Sequence, residues 1–218
     1  MIEIKPYVPK SWSYSAISRY EQCALQFYAE RTKQVSSQES FALADGDRVH
    51  QLAEGFLLGR IEGVPPDLRQ FEKEFKTLKS LGAHAEEIFV LDKNWERVDG
   101  WRHTDARLRA KIDTRVDSMV ADFKTGRKYD SHEDQADLYS TIVFQAIPDL
   151  NDIDFEFWYL KNGDVSQFTF SRDQQSERLE KWQHRADILM SETEWKPTKN
   201  EYCKYCSVKK EHGCELFK

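Results

Sequence analysis

The order of elements along the chain predicts an α/β fold, with a mixed central sheet, a helical N-terminal flank and a cysteine-bearing C-terminal tail. Three observations carry this. Apolar residues recur at helical spacing from Ile17 to Leu81. Residues 106–116 alternate apolar and charged side chains in the manner of a half-buried strand. Asn162-Gly163 separates two strand-like runs as a hairpin turn does.

The first helix is expected from Ser15 to Thr32, where Ile17, Tyr20, Ala24, Phe27 and Tyr28 form a stripe and Ser13 or Ser15 is placed to cap it. A second is expected from Ala44 to Gly59, with Val49, Leu52, Ala53, Phe56 and Leu57 on one face. A third follows Pro65-Pro66 and carries Leu68, Phe71, Phe75, Leu78 and Leu81. Glu87 to Asp92 reads as a strand. In the next, Leu108, Ala110, Ile112 and Val116 face one way, and Arg107, Arg109, Lys111, Asp113 and Arg115 the other. Asp117-Ser118 suits a tight turn that returns Met119–Lys124 beside it, and Gly126 ends that strand. Ser131-His132-Glu133-Asp134 fits a capping box opening a helix to Ala146, stopped by Pro148. Strands at Ile153–Lys161 and Val165–Phe170 precede a helix from Arg172 to Glu192. The expectation is one domain over 1–218: a helical flank at 14–82, a sheet core at 85–170, and a closing helix and tail at 171–218.

At 218 residues with 39% hydrophobic and 13% aromatic side chains, the chain can bury a core. No run of eighteen apolar residues exists, so no membrane span is expected. The start, Met1-Ile2-Glu3-Ile4-Lys5-Pro6-Tyr7, lacks a signal-peptide pattern, and a cytoplasmic location is expected. The net charge of −6 speaks against a nucleic-acid partner when taken over the whole chain. Arg97, Arg102, Arg107, Arg109, Lys111 and Arg115 are nonetheless concentrated in one stretch, either a solvated face or a groove lining.

Asp122 and Lys124 share a strand face at period two, and Asp113 on the preceding strand can meet them. Two neighbouring carboxylates repel unless a divalent cation lies between them. Such a cation generates a nucleophilic water and neutralises charge on an attacked phosphate, and a lysine beside it can do part of the same work. The acid-x-Lys pattern itself is uninformative, since it recurs at Glu3-Ile4-Lys5, Glu74-Phe75-Lys76 and Glu194-Trp195-Lys196. The copy at Asp122 differs in following a strand-borne Asp and running into Thr125-Gly126; its alternative is an exposed Asp–Lys pair on a sheet edge.

Asp113-Thr114-Arg115-Val116-Asp117, followed by Val120-Ala121-Asp122-Phe123-Lys124-Thr125-Gly126, resembles the core of RecB-type nucleases in the PD-(D/E)XK superfamily. Gln135-Ala136-Asp137-Leu138-Tyr139 is similar to that family's Gln-x-x-x-Tyr motif, and Gly46-Asp47-Arg48-Val49-His50 to its upstream histidine helix. The resemblance implies a restriction-endonuclease-like core. It also implies a Mg²⁺ or Mn²⁺ site held by His50, Asp113 and Asp122 with the Phe123 carbonyl, and catalytic roles for Asp113, Asp122, Lys124, Gln135 and Tyr139. Glu54, four residues after His50, either assists the metal or solvates its helix.

The four cysteines are Cys23, Cys203, Cys206 and Cys214. Structural disulfides are not expected in a cytosolic protein, which leaves metal or cluster ligation as the leading reading. A zinc knuckle usually places its ligand pairs closer in sequence than Cys23 stands to the C-x-x-C. One early and three late cysteines resemble the iron–sulfur branch of these nucleases, the CRISPR-associated and AddB-like proteins, and imply a [4Fe-4S] cluster joining the tail to the first helix, with zinc as the second choice.

The resemblance implies an exonuclease acting on single-stranded DNA ends, with 5′→3′ as the favoured polarity. It fits recombination, replication or repair in a phage or mobile element, or CRISPR adaptation, with partner proteins of those processes. No G-x-x-x-x-G-K-[ST] loop is present, so no motor is expected. The reading from a different class is a non-catalytic nucleic-acid-binding module with a structural cluster or zinc.

Overall fold

A computed structural model describes residues 2–36, 41–128, 132–209, 212 and 214–216. In chain order the helices are α1 (Tyr14–Gln22), α2 (Ala24–Arg31), α3 (Phe41–Leu57), α4 (Glu72–Ser80), α5 (His132–Ala146) and α6 (Gln175–Ser191). The strands are β1 (His84–Leu91), β2 (Leu108–Val116), β3 (Met119–Lys124), β4 (Asp152–Tyr159) and β5 (Asp164–Ser171). The chain divides into two compact units, Ser40–Leu179 and a second built from Met1–Glu39 with Glu180–Lys218.

The larger unit holds one five-stranded sheet in the order β1-β2-β3-β4-β5. It is mixed: β3 and β4 run parallel and the other neighbours antiparallel. Parallel neighbours need a crossover, and α5 supplies it between β3 and β4. The β2–β3 turn closes on the pair Val116↔Met119, with Asp117 at φ 47, a left-handed backbone that Asp tolerates better than most residues. Between β4 and β5 the corresponding position is Gly163, at φ 77.

On one face of the sheet, Val49, Ala53 and Phe56 of α3 and Phe75 and Leu78 of α4 join Ala121, Phe123, Trp158 and Leu160 in one core. Phe71 stacks on Trp158 at 5.1 Å, in a 3-10 segment (Pro66–Phe71) that leads into α4. The sequence stripe through Leu81 stops short: α4 ends at Ser80, Gly82 turns at φ 69, and Leu81 is exposed. Helix α5 lies against β1, β2, β4 and β5 and buries Ala136, Leu138, Ile142 and Val143. Its expected capping serine, Ser131, lies outside the described residues. In β2 the alternation gives way to four consecutive buried residues, Ile112 to Arg115, because side chains from both faces are covered there.

In the smaller unit, the helix expected over 15–32 is two helices. Cys23 has an extended backbone (φ −165, ψ 109) that ends α1 and begins α2. The apolar pattern continues across the break, which is why periodicity alone reads one helix. Ser13, rather than Ser15, caps α1 by accepting from the Ala16 N–H at 3.2 Å. Trp195 is fully buried among Tyr7, Tyr20, Phe27 and Tyr28, stacked on Phe27 at 5.9 Å. Among the described residues no helix is long and apolar enough to cross a membrane.

Candidate active site

Five elements of the sheet unit deliver side chains to one centre. Strand β2 carries Asp113 and α3 carries His50, whose Nδ1 lies 3.1 Å from Asp113 Oδ1. The other Asp113 oxygen accepts the Phe123 backbone N–H at 2.7 Å, which fixes the carboxylate across β2 and β3. Strand β3 then presents Asp122 and Lys124 together, with Lys124 Nζ 2.6 Å from Asp122 Oδ2 as a charge contact. Gln135 of α5 closes the ring, donating from Nε2 to Asp122 Oδ1 at 2.8 Å and accepting from Lys124 Nζ at 2.8 Å.

A residue that sequence reasoning did not single out completes the centre. Glu86 of β1 lies 3.8 Å from His50 Nδ1 and forms an ion pair with Lys111. The pairs Ala85↔Thr114 and Glu87↔Ile112 put it across from Asp113. Its backbone is left-handed, φ 53, a conformation that costs a non-glycine residue about 1–3 kcal/mol and that clusters at functional sites. One donor atom from each of His50, Glu86 and Asp113 lies within 4.8 Å of the others, and theirs is the one such group of three or more among the described residues. One nitrogen and two carboxylate oxygens at that spacing suit a small divalent cation.

Charge in this buried centre is strongly biased. Burial alone disfavours a charged His50, but the hydrogen bonds to Asp113 and Glu86 and the charges of Asp113 and Asp122 prevail, raising it to about 10. Burial would likewise raise Glu86; His50 and Lys111 reverse this and hold it low. Asp122 is pushed above the usual carboxylate range by burial, with Lys124 opposing and Asp113 reinforcing the shift.

The remaining expected residues fall as follows. Tyr139, one turn beyond Gln135 on α5, sets its ring 6.3 Å from that of Phe155. Glu54 takes Arg60 as partner at 3.3 Å. Arg115 pairs with Glu87 at 2.7 Å. Glu86 had a weak signal in the sequence, two adjacent acids at the start of a strand, but no spacing relation ties it to Asp113.

In the smaller unit, all four cysteines line one pocket, together with Leu25, Pro197 and Asn200 among others. Cys23 is buried, and burial raises the Cys206 thiol, with Cys23, Cys214 and Cys203 adding to the shift. The break between α1 and α2 gives Cys23 its place, and a 3-10 segment (Glu201–Tyr205), capped by Asn200, carries Cys203.

The family model of the PD-(D/E)XK nuclease superfamily matches residues 11–210. A solved structure from Eubacterium rectale, described as a candidate exonuclease, is similar with a TM-score of 0.52 at 14% identity, over 90% of this chain and 87% of that one. At that identity the likeness bears on the fold alone. A search of curated proteins finds none that matches.

Proposed function

Because the chain belongs to the PD-(D/E)XK nuclease superfamily, a family of phosphodiester hydrolases, we propose that it is a Mg²⁺- or Mn²⁺-dependent deoxyribonuclease whose metal is held by His50, Glu86 and Asp113. The observation that carries the assignment is the convergence of those three donors within 4.8 Å, beside Asp122, Lys124 and Gln135 bound to one another. Bound there, the metal would supply an activated water and a counter-charge for the attacked phosphate.

The chain's own groups have separable tasks. The Phe123 N–H holds Asp113 so that its Oδ1 faces His50. Gln135 and Lys124 together orient the Asp122 carboxylate. The Lys124 ammonium sits where it can neutralise charge growing on a phosphate oxygen. Hydrogen bonds to Asp113 and Glu86 make His50 hold a proton more tightly than an ordinary histidine, and it must give that proton up to become a ligand. On the strength of the family resemblance, Asp122 and the Phe123 carbonyl join the metal set, and Tyr139 takes an active-site role.

That resemblance also supports single-stranded DNA ends as substrate, 5′→3′ polarity, and service in recombination or repair. In the smaller unit we propose a four-thiolate cofactor on Cys23, Cys203, Cys206 and Cys214, [4Fe-4S] ahead of zinc. What supports a shared cofactor is that all four cysteines line one pocket; the preference for a cluster rests on the family resemblance. End-labelled single- and double-stranded DNA, incubated with Mg²⁺, Mn²⁺ or chelator, tests the nuclease. Cleavage should require metal and be lost in Asp113→Asn and Lys124→Ala; activity persisting in excess chelator overturns the assignment.

A further inference from the structure

The β1–β2 connection, residues 92–107, has no part in the centre described above. It carries an exposed tryptophan, Trp101 (44% accessible), in a stretch where Lys93, Arg97, Arg102 and Arg107 are balanced by Asp92, Glu96, Asp99 and Asp105, so that the cations nearest the indole are Arg102 and, from β2, Arg109. Tryptophan is enriched at the energetic centres of interfaces, where its ring meets a partner. Trp101 is also fastened rather than loose. Arg109 of β2 donates from Nε to the Trp101 carbonyl at 2.7 Å, and its guanidinium lies 5.9 Å from the indole centroid.

Arg109 and Lys111 are two apart in a regular stretch of β2 and so share a face. Lys111 reaches Glu86, one of the three converging donors. The face therefore runs from the carboxylates, through Lys111 and Arg109, to the indole of Trp101. Among the described residues, β1 is an edge strand of the sheet.

We propose that Trp101 is a nucleobase-stacking site for single-stranded nucleic acid. Arg102 and Arg109 meet the backbone phosphates and hold the strand along β2 toward the metal centre. The assignment deepens the nuclease reading and rests on it for the destination of the strand. An indole face stacks on any unpaired base, whereas a blunt duplex offers its faces only at the ends. The four residue steps from Arg109 to Asp113 span about 13 Å at 3.3 Å per residue. That equals about four nucleotides at the 3.4 Å rise of a stacked strand. A dinucleotide is thus too short to occupy both places.

The test is fluorescence anisotropy in chelator, with labelled oligothymidylate of about twelve nucleotides, a labelled dinucleotide and a blunt duplex. Trp101→Ala should weaken binding of the long single strand about tenfold, the scale of one stacked base. Trp101→Phe should restore most of it, and dinucleotide binding should not change. Arg102→Ala should lower the salt dependence of binding by about one phosphate contact. In Mg²⁺ or Mn²⁺, Trp101→Ala should hydrolyse bis(p-nitrophenyl) phosphate at the wild-type rate. Unchanged affinity in Trp101→Ala, or an equal loss for the duplex, overturns the stacking site. If the wild type hydrolyses nothing while the anisotropy pattern holds, the nuclease reading fails and the stacking site stands. Thermal unfolding of each variant checks that the fold is intact.

Discussion

At the scale of single residues, Glu86 shows why a site is harder to read than a fold. His50, Asp113, Asp122, Lys124 and Gln135 are legible because strand and helix periodicity tie them to one another or to a motif. Glu86 has no such tie; only the pairing of β1 with β2 brings it across from Asp113. Its left-handed backbone is equally invisible to propensity. The strain at φ 53 is maintained by an ion pair with Lys111 and a contact with His50. Glu86→Gln should raise the Mg²⁺ or Mn²⁺ concentration for half-maximal cleavage at least tenfold, with little change in thermal unfolding, because a ligand charge is lost and no apolar contact is. An unchanged metal requirement in a titration of activity would remove Glu86 from the ligand set.

At the scale of elements, the start of α5 joins packing to acid sensitivity. His132 places its ring 5.1 Å from Phe157, with Nδ1 2.8 Å from the Tyr159 hydroxyl. Burial, reinforced by the charge of Lys124 and opposed by Asp122, pushes it down to about 4. Between pH 6.5, the ordinary histidine value, and pH 4 the unfolded chain therefore binds a proton that the folded chain refuses. The contribution of His132 to stability should be fully present above pH 6.5 and be lost as the pH drops toward 4. His132→Phe should flatten that part of the profile of melting temperature against pH; an unaltered slope would mean that other groups set it. The strands, hairpins and most helices were legible because each follows a two- or 3.6-residue period, as β5 and α6 do. The break at Cys23 was not, because the apolar stripe crosses it and only the extended backbone reveals it.

At the scale of the whole molecule, the chain groups into two compact units: α3 and α4 fall with the sheet, while α1 and α2 fall with the tail. The four thiols all fall in the smaller unit, where they line one pocket from segments far apart in sequence. Binding energy at such a site is also folding energy. Cys23→Ser should therefore abolish bound iron or zinc and accelerate hydrogen exchange in residues 14–31 and 181–208. Exchange in the β2–β3 hairpin should stay close to wild type. Elemental analysis with exchange mass spectrometry decides it: equal acceleration in both units, or none, would contradict a stabilising role confined to the smaller one.

The discontinuity of that smaller unit also imposes an order of events during synthesis. Cys23 leaves the ribosome 180 residues before Cys203. At about 5–20 residues per second, that interval lasts on the order of ten to forty seconds. Throughout it, the sheet unit is being completed from one continuous stretch of chain, whereas the buried faces of α1 and α2 wait for Trp195 and Val208. The newborn chain thus completes one unit first, while the aromatic interior of the other stays uncovered until Trp195 and Val208 follow.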